Sequence, residues 1–199
     1  MKFRHILSLG GHCEPSWHLR RRGMLRHGSP FDWLVSPLQA VVDVLADDGA
    51  RLGREFIMRD GGKSTVCAEY GVLYHHEFAR TSDGYVRFSA EAVERCRSKL
   101  AHKMARFIKV CERAEPTLFL RMGAKTPLQW DLGGEIDVLA PAIAARFPAL
   151  PFRVISVDLP QAADSTTWKA SDADWDAFLG SIQYDPISEP ADREILFGI

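Results

Sequence analysis

The 199-residue sequence contains no asparagine. That excludes an acceptor for N-linked glycans, and with it any catalytic scheme in which an asparagine side chain orients a histidine. Cysteine is sparse, at positions 13, 67, 96 and 111. No C-x-x-C pair occurs and no Cys/His spacing has the form that builds a zinc site, so free thiols are expected and no metal or cofactor is called for. Charge of either sign is not in excess: 25 Lys+Arg against 26 Asp+Glu leave a formal net charge of −1, which gives no field for general nucleic-acid binding. Long apolar runs are missing as well. The longest, such as FRVISV and VVDVLA, fall far short of the roughly 18 residues needed to cross a bilayer. The opening MKFRHILSLGGHC lacks an apolar h-region with a cleavage site, so the expectation is a cytoplasmic protein with no membrane partner.

What is present is the composition of an ordinary soluble globular protein, with 46% apolar and 26% charged residues. The length suits one domain over 1–199 with a sizeable core. Along the chain, Arg4 to Leu9 reads as a short buried strand emptying into Gly10-Gly11, followed by a helix over Glu14 to Arg22 with Pro15 in its first turn and Gly23 as a stop. LQAVVDVL at 38–45 is helical. The stretch 51–88 reads as an irregular insertion with a few short antiparallel strands.

A long helix from Ala90 to Arg113 carries an N-cap at Ser89 and a stripe of Val93, Cys96, Leu100, Met104, Phe107, Ile108 and Cys111 at spacings of three and four. Then come the strand TLFLRMG, a helix over Glu135 to Phe147 with Ile136, Leu139, Ile143 and Phe147 inward, the strand FRVISVDLP, a short helix over Asp172 to Ile182, and a polar tail from about 184. Alternating strands and helices predict an α/β fold, read as a three-layer α/β/α arrangement with a mostly parallel sheet of the SGNH-hydrolase or flavodoxin-like kind.

In open α/β sheets, sites form beyond the carboxyl ends of the strands. Three loops qualify here: Gly10 to Cys13, Arg121 to Ala124 and Asp158 to Pro160. Cys13 falls at the N-cap of the first helix, where the macrodipole and free N–H groups favour a thiolate. The same N–H groups, with those of Gly10 and Gly11, can hold a developing oxyanion. Cys13 as a small buried residue in a tight turn remains the alternative.

A nucleophilic cysteine needs a base, and no histidine follows residue 102. His5 and His102 read as structural or solvent-facing, and His18 as exposed. His12 adjoins Cys13, but neighbours in a turn point apart, so it reads as ligand-binding. The pair His75-His76 ends the apolar run YGVLY, where a strand end can aim an imidazole into a cleft; His76 is favoured as the base and His75 as a substrate contact. As metal ligands the pair and Glu77 are poorly spaced, because neighbours on a strand face opposite ways. Asp32, between aromatics in SPFDWLVSP, is either buried and paired or caps the helix that follows. Arg20 to Arg22 read as a solvated helix face or as a contact for an anionic group.

Taken together, SLGGHC after the first strand, LRRRGMLRHGSPFDWLVSP, the HHEF segment and LFLR after the long helix resemble a bacterial family of unknown function described as papain-like cysteine peptidases, over roughly residues 4 to 160. The resemblance implies Cys13 as nucleophile, the histidine of HHEF as its partner, and a papain-like α+β fold as the alternative to the layered one. Papain-like enzymes also use a glutamine shortly before the cysteine as an oxyanion donor. Here the first glutamine is Gln39, so backbone N–H groups would have to serve, and Asp32 or Asp158 would orient the histidine.

The sequence therefore predicts a cysteine-dependent hydrolase or acyltransferase working through a thioester on Cys13. Its expected catalytic group is Cys13, His76 and Asp32, with Gly10, Gly11, His12, His75, Arg121 and Asp158 around the substrate. That substrate is a small molecule, peptide or glycan, with the arginines favouring an anionic one. The alternative is a non-catalytic module that binds an anionic small molecule or glycan at the carboxyl edge of the sheet.

Overall fold

The computed structural model describes residues 1–123, 134–159 and 169–186. Within them, three parallel strands form one sheet in the order β1 (His5–Ser8), β6 (Thr117–Arg121), β7 (Phe152–Ser156). β1 is in register with β6 from His5↔Thr117 to Ser8↔Leu120, and β6 with β7 from Thr117↔Phe152 to Arg121↔Ser156. The strands read as continuous apolar runs because both faces of this sheet are covered. Side chains alternate accordingly. Leu7, Phe119 and Val154 join a cluster with α2 (Leu38–Ala46), α3 (Ala90–Glu112) and α4 (Glu135–Arg146). Ile6, Leu118 and Leu120 join a second cluster with Leu19 of α1 (Glu14–Arg21) and with Trp175 and Leu179 of α5 (Asp172–Gly180).

The expectation of one mostly parallel sheet is corrected. A second sheet of four antiparallel strands runs β2 (Leu34–Val35), β5 (Leu73–Tyr74), β4 (Ser64–Cys67), β3 (Phe56–Arg59), so the protein is mixed α/β with two sheets. The reason is local. β3, β4 and β5 are joined by a few residues each and so pair antiparallel, since a parallel neighbour needs a crossover of a dozen residues or more, and β2 adds antiparallel to the β5 edge from farther back along the chain. The segment 51–88 supplies three of these strands, and its Cys67, Tyr70, Val72, Tyr74 and Phe78 pack into the same cluster as α2 and α3.

The helices follow the sequence closely. Ser89 caps α3, its side chain accepting from the Ala92 N–H at 3.1 Å, and Cys96, Leu100, Met104, Phe107 and Cys111 of the predicted stripe are buried. On α4 the expected inward face is narrower: Leu139 and Ile143 are buried, but Ile136 is 40% exposed. Among the described residues no helix is long and apolar enough to cross a membrane. The tail beyond 186 and the loop ends Ala124 and Pro160 lie outside the described residues.

Candidate active site at the carboxyl edge of the parallel sheet

The turn after β1 is built for close approach. Gly10 and Gly11 have φ of +68° and +85°, a region that L side chains enter only with strain. A Cβ on Gly11 would fall 1.8 Å from the Met122 carbonyl oxygen and 2.9 Å from Arg121 Cζ, and one on Gly10 would fall 2.8 Å from Ser36 Oγ. The two glycines therefore let the β1 turn press against the end of β6 on one side and the Phe31–Ser36 segment on the other. The Met122 N–H donates to the Gly10 carbonyl at 3.3 Å. The Gly10 N–H is taken by Ser8 Oγ at 3.1 Å, which leaves the N–H groups after Gly10 as the loop's candidate oxyanion donors.

Cys13 is the N-cap of α1 and its side chain makes no capping hydrogen bond. Pro15 in the first turn lacks an N–H without cost to the helix. The thiol is 6% exposed, and burial pushes its pKa from 9.0 up to about 11. This reverses the direction expected from the helix terminus. A rise of that size is worth about 3 kcal/mol, against roughly 0.3–1 kcal/mol for a charge at a helix end, so the resting thiol is neutral. Among the described residues no hydrogen bond or ion pair joins Cys13 Sγ to an imidazole.

Asp32 is 2% exposed and its observed partners are not imidazoles. Oδ1 accepts the Ser16 hydroxyl at 2.8 Å, and Oδ2 accepts the Ser29 N–H at 2.7 Å. It thus ties the first turn of α1 to the loop that precedes β2. The next residue, Trp33, has φ +65° and packs edge-to-face on His76, ring centroids 6.2 Å apart.

His75 and His76 follow the end of β5 and are exposed, with their own rings 4.7 Å apart. Protein neighbours strip part of the water from the His76 ring, and His75 lies beside it; both effects lower its pKa below the ordinary value. His76 is therefore neutral near pH 7, the form in which an imidazole accepts a proton.

Arg121 does reach the Gly10–Gly11 turn, but as a buried strut. Its Nη1 donates to the Leu9 carbonyl at 3.0 Å, and its Nε and Nη2 both donate to Glu135 Oε1 at 3.1 Å. No surface of it faces solvent, so the guanidinium expected to contact substrate is engaged by protein groups in this structure. Asp158 lies just beyond β7, on the same edge, and is exposed. Arg21, in the run expected to meet an anion, is hydrogen-bonded to Asp176.

The sequence reading missed Glu14. It is 1% exposed, and Oε1 accepts the Trp175 Nε1–H at 2.8 Å and the Ala170 N–H at 2.5 Å. Oε2 lies 3.7 Å from His12 Nδ1. His18, expected at the surface, is fully buried: its ring stacks on Trp175 at 4.5 Å and 11°. The available signal was a glutamate inside an otherwise inward-facing first turn, with Trp175 far along the chain as its unseen partner. Among the described residues no group of three His, Cys, Asp or Glu is placed to hold a metal ion.

A family model described as "Putative papain-like cysteine peptidase" matches residues 4–162. No curated protein and no solved structure matches the chain.

Proposed function

Because the chain belongs to the family described as putative papain-like cysteine peptidases, we propose that it is a cysteine-dependent hydrolase or acyltransferase working through a thioester on Cys13. The observation that carries the reading is the placement of Cys13 at the start of α1, directly after the left-handed Gly10-Gly11 turn, on the carboxyl edge of a parallel sheet. A nucleophile there meets backbone N–H groups without any side-chain donor, which answers the lack of an early glutamine.

The steps balance as acyl transfer. Cys13 Sγ loses its proton to the base as the C–S bond forms, and the leaving amine or alcohol takes that proton as its bond to carbon breaks. Water or an acceptor nucleophile then attacks the thioester carbon and gives its proton to the base, the C–S bond breaks to release the acyl product, and the base returns the proton to Sγ to restore the thiol.

His76 is the proposed base: it is neutral near pH 7 and its ring borders the Asp32–Trp33 loop that is hydrogen-bonded to α1. Contacts of this kind tighten when substrate binds. Asp32 acts as a positioning residue for α1. His12 is the competing base, with Glu14 Oε2 3.7 Å from its Nδ1. The substrate is a small molecule, peptide or glycan contacted from the loop by Gly11, His12, His75 and Asp158. With Arg121 buried on Glu135 and Arg21 paired with Asp176 at the surface, the preference for an anionic substrate is weakened.

The test is incubation with p-nitrophenyl acetate followed by intact mass spectrometry. An acetyl adduct that maps to Cys13, disappears in Cys13→Ala and forms at least roughly tenfold more slowly in His76→Ala supports the reading. A rate lowered in His12→Ala and unchanged in His76→Ala moves the base to His12. No adduct on Cys13 at any pH between 6 and 10 sinks the enzymatic reading.

The second reading is a binding module for an anionic small molecule or glycan at the same edge, in which Cys13 only packs. Its support is the buried, neutral thiol. Under it, Cys13→Ser binds ligand as the wild type does.

A further inference from the structure

Two lysines of α3 point toward the candidate site, and no sequence motif marks them. Lys99 and Lys103 lie one turn apart on the same face of the helix. Lys99 Nζ pairs with Glu77 Oε2 at 3.0 Å, beside His76. Lys103 is only 9% exposed, a depth that lysine rarely reaches without a partner.

Its stem runs past Gly28. A Cβ at Gly28 would lie 3.7 Å from Lys103 Cγ, 3.8 Å from Lys103 Cε and 3.9 Å from Asp32 Oδ2. The far end of Lys103 and the Asp32 carboxylate thus share one side of residue 28. Groups that act on Asp32 include Lys103 and Lys99 from α3, the Ser16 hydroxyl from α1, and the Ser29 N–H from its own loop. Burial pushes the Asp32 carboxyl up, and Lys103 comes first among the groups that oppose this rise.

We infer that Lys103 is a positioning residue of this site: its ammonium is the countercharge that keeps Asp32 an anion, and through the Asp32–Ser16 hydrogen bond α3 thereby fixes the first turn of α1, on which Cys13 sits. An ionised carboxylate only accepts, which matches the two donors around Asp32. A protonated one carries a hydrogen that competes with Ser16 or Ser29 for those oxygens. A buried carboxylate without compensating charge takes up a proton, so loss of Lys103 loosens the tie.

The relevance to catalysis rests on the proposed role of Cys13, whereas the charge relation between Lys103 and Asp32 does not. The full chain is compared with Lys103→Met and Lys103→Arg. The Asp32 carboxyl is followed by carbon NMR across pH, and iodoacetamide alkylation of Cys13 is measured relative to Cys67 in the same sample. In Lys103→Met the Asp32 midpoint rises by about one pH unit or more, tenfold in proton affinity. The relative Cys13 rate changes by about threefold or more, and Lys103→Arg returns both readings to within about twofold of wild type.

An Asp32 midpoint that stays put in Lys103→Met overturns the inference. In an Asp32→Asn background, Lys103→Met changes the Cys13 rate by less than about 1.5-fold; an undiminished effect there also overturns it. If Lys103→Met fails to fold, Lys103→Gln gives the same readings with the polarity kept. A Cys13 that forms no acyl adduct leaves both readings intact, and an unresponsive Asp32 leaves acyl chemistry intact, so the two proposals fail separately.

Discussion

The Trp175 indole N–H donates a 2.8 Å hydrogen bond to Glu14 Oε1, joining residues 161 positions apart in sequence. The bond locks the first turn of α1, immediately after Cys13, to α5. Trp175 is fully buried, and the same carboxylate oxygen also takes the Ala170 N–H. Glu14→Ala leaves both donors buried without an acceptor. The expected loss is roughly 2–5 kcal/mol in urea unfolding, with a smaller loss for Glu14→Gln, which keeps one acceptor oxygen. A cost for Glu14→Ala below about 1 kcal/mol would show that the clamp contributes little.

Gly11 and Gly23 separate two costs of a side chain at positive φ. Both are left-handed, at +85° and +64°, but a Cβ on Gly23 meets nothing within 4 Å, whereas on Gly11 it overlaps the Met122 carbonyl. Gly23→Ala should cost roughly 1–2 kcal/mol from backbone strain alone. Gly11→Ala adds a displacement of the β6 end, for a total of roughly 3–5 kcal/mol, and should slow Cys13 chemistry as well. Equal losses at the two positions would contradict the close approach of the turn to β6.

His18 makes stability depend on acid. Burial, with Arg21 adding to it, lowers its pKa from 6.5 to about 4, so the fold favours the neutral ring. The contribution is complete above pH 6.5 and is lost as the pH falls through about 4, an amount near 3 kcal/mol in total. His18→Phe retains a ring to stack on Trp175 and should flatten the stability profile between pH 6.5 and 4. The check is denaturant midpoints of both proteins at several pH values across that window; parallel profiles would refute the assignment.

Arg121 and Glu135 form a buried pair, 0% and 1% exposed. Arg121→Met strands the Glu135 charge and should cost roughly 3–5 kcal/mol, while Arg121→Met with Glu135→Met recovers most of that loss. Equal stability of the single and double variants would mean that the ion pair itself is inert and that the hydrogen bond to the Leu9 carbonyl carries the whole effect.

Much of the secondary structure was legible because its causes are local. Ser89, the three-and-four stripe of α3 and the Gly10-Gly11 break act within one or two turns of chain, and Cys13 at the head of α1 follows from them. The second sheet was legible only as short strands. Its pairing of β5 with β2 on one side and β4 on the other depends on which edges meet across the core.

The site divides in the same way. The sequence by itself determined which residue types stand at the carboxyl edge and that a cysteine opens the first helix, since alternation of strands and helices fixes that edge. Burial and partnership were decided by tertiary structure alone. Packing, by removing water, turned the Cys13 thiol from an expected thiolate into a neutral group, drew Arg121 inward onto Glu135, buried His18 against Trp175, and set Asp32 on Ser16 instead of on an imidazole. Desolvation and charge pairing depend on neighbours brought from distant parts of the chain, and no local pattern records them.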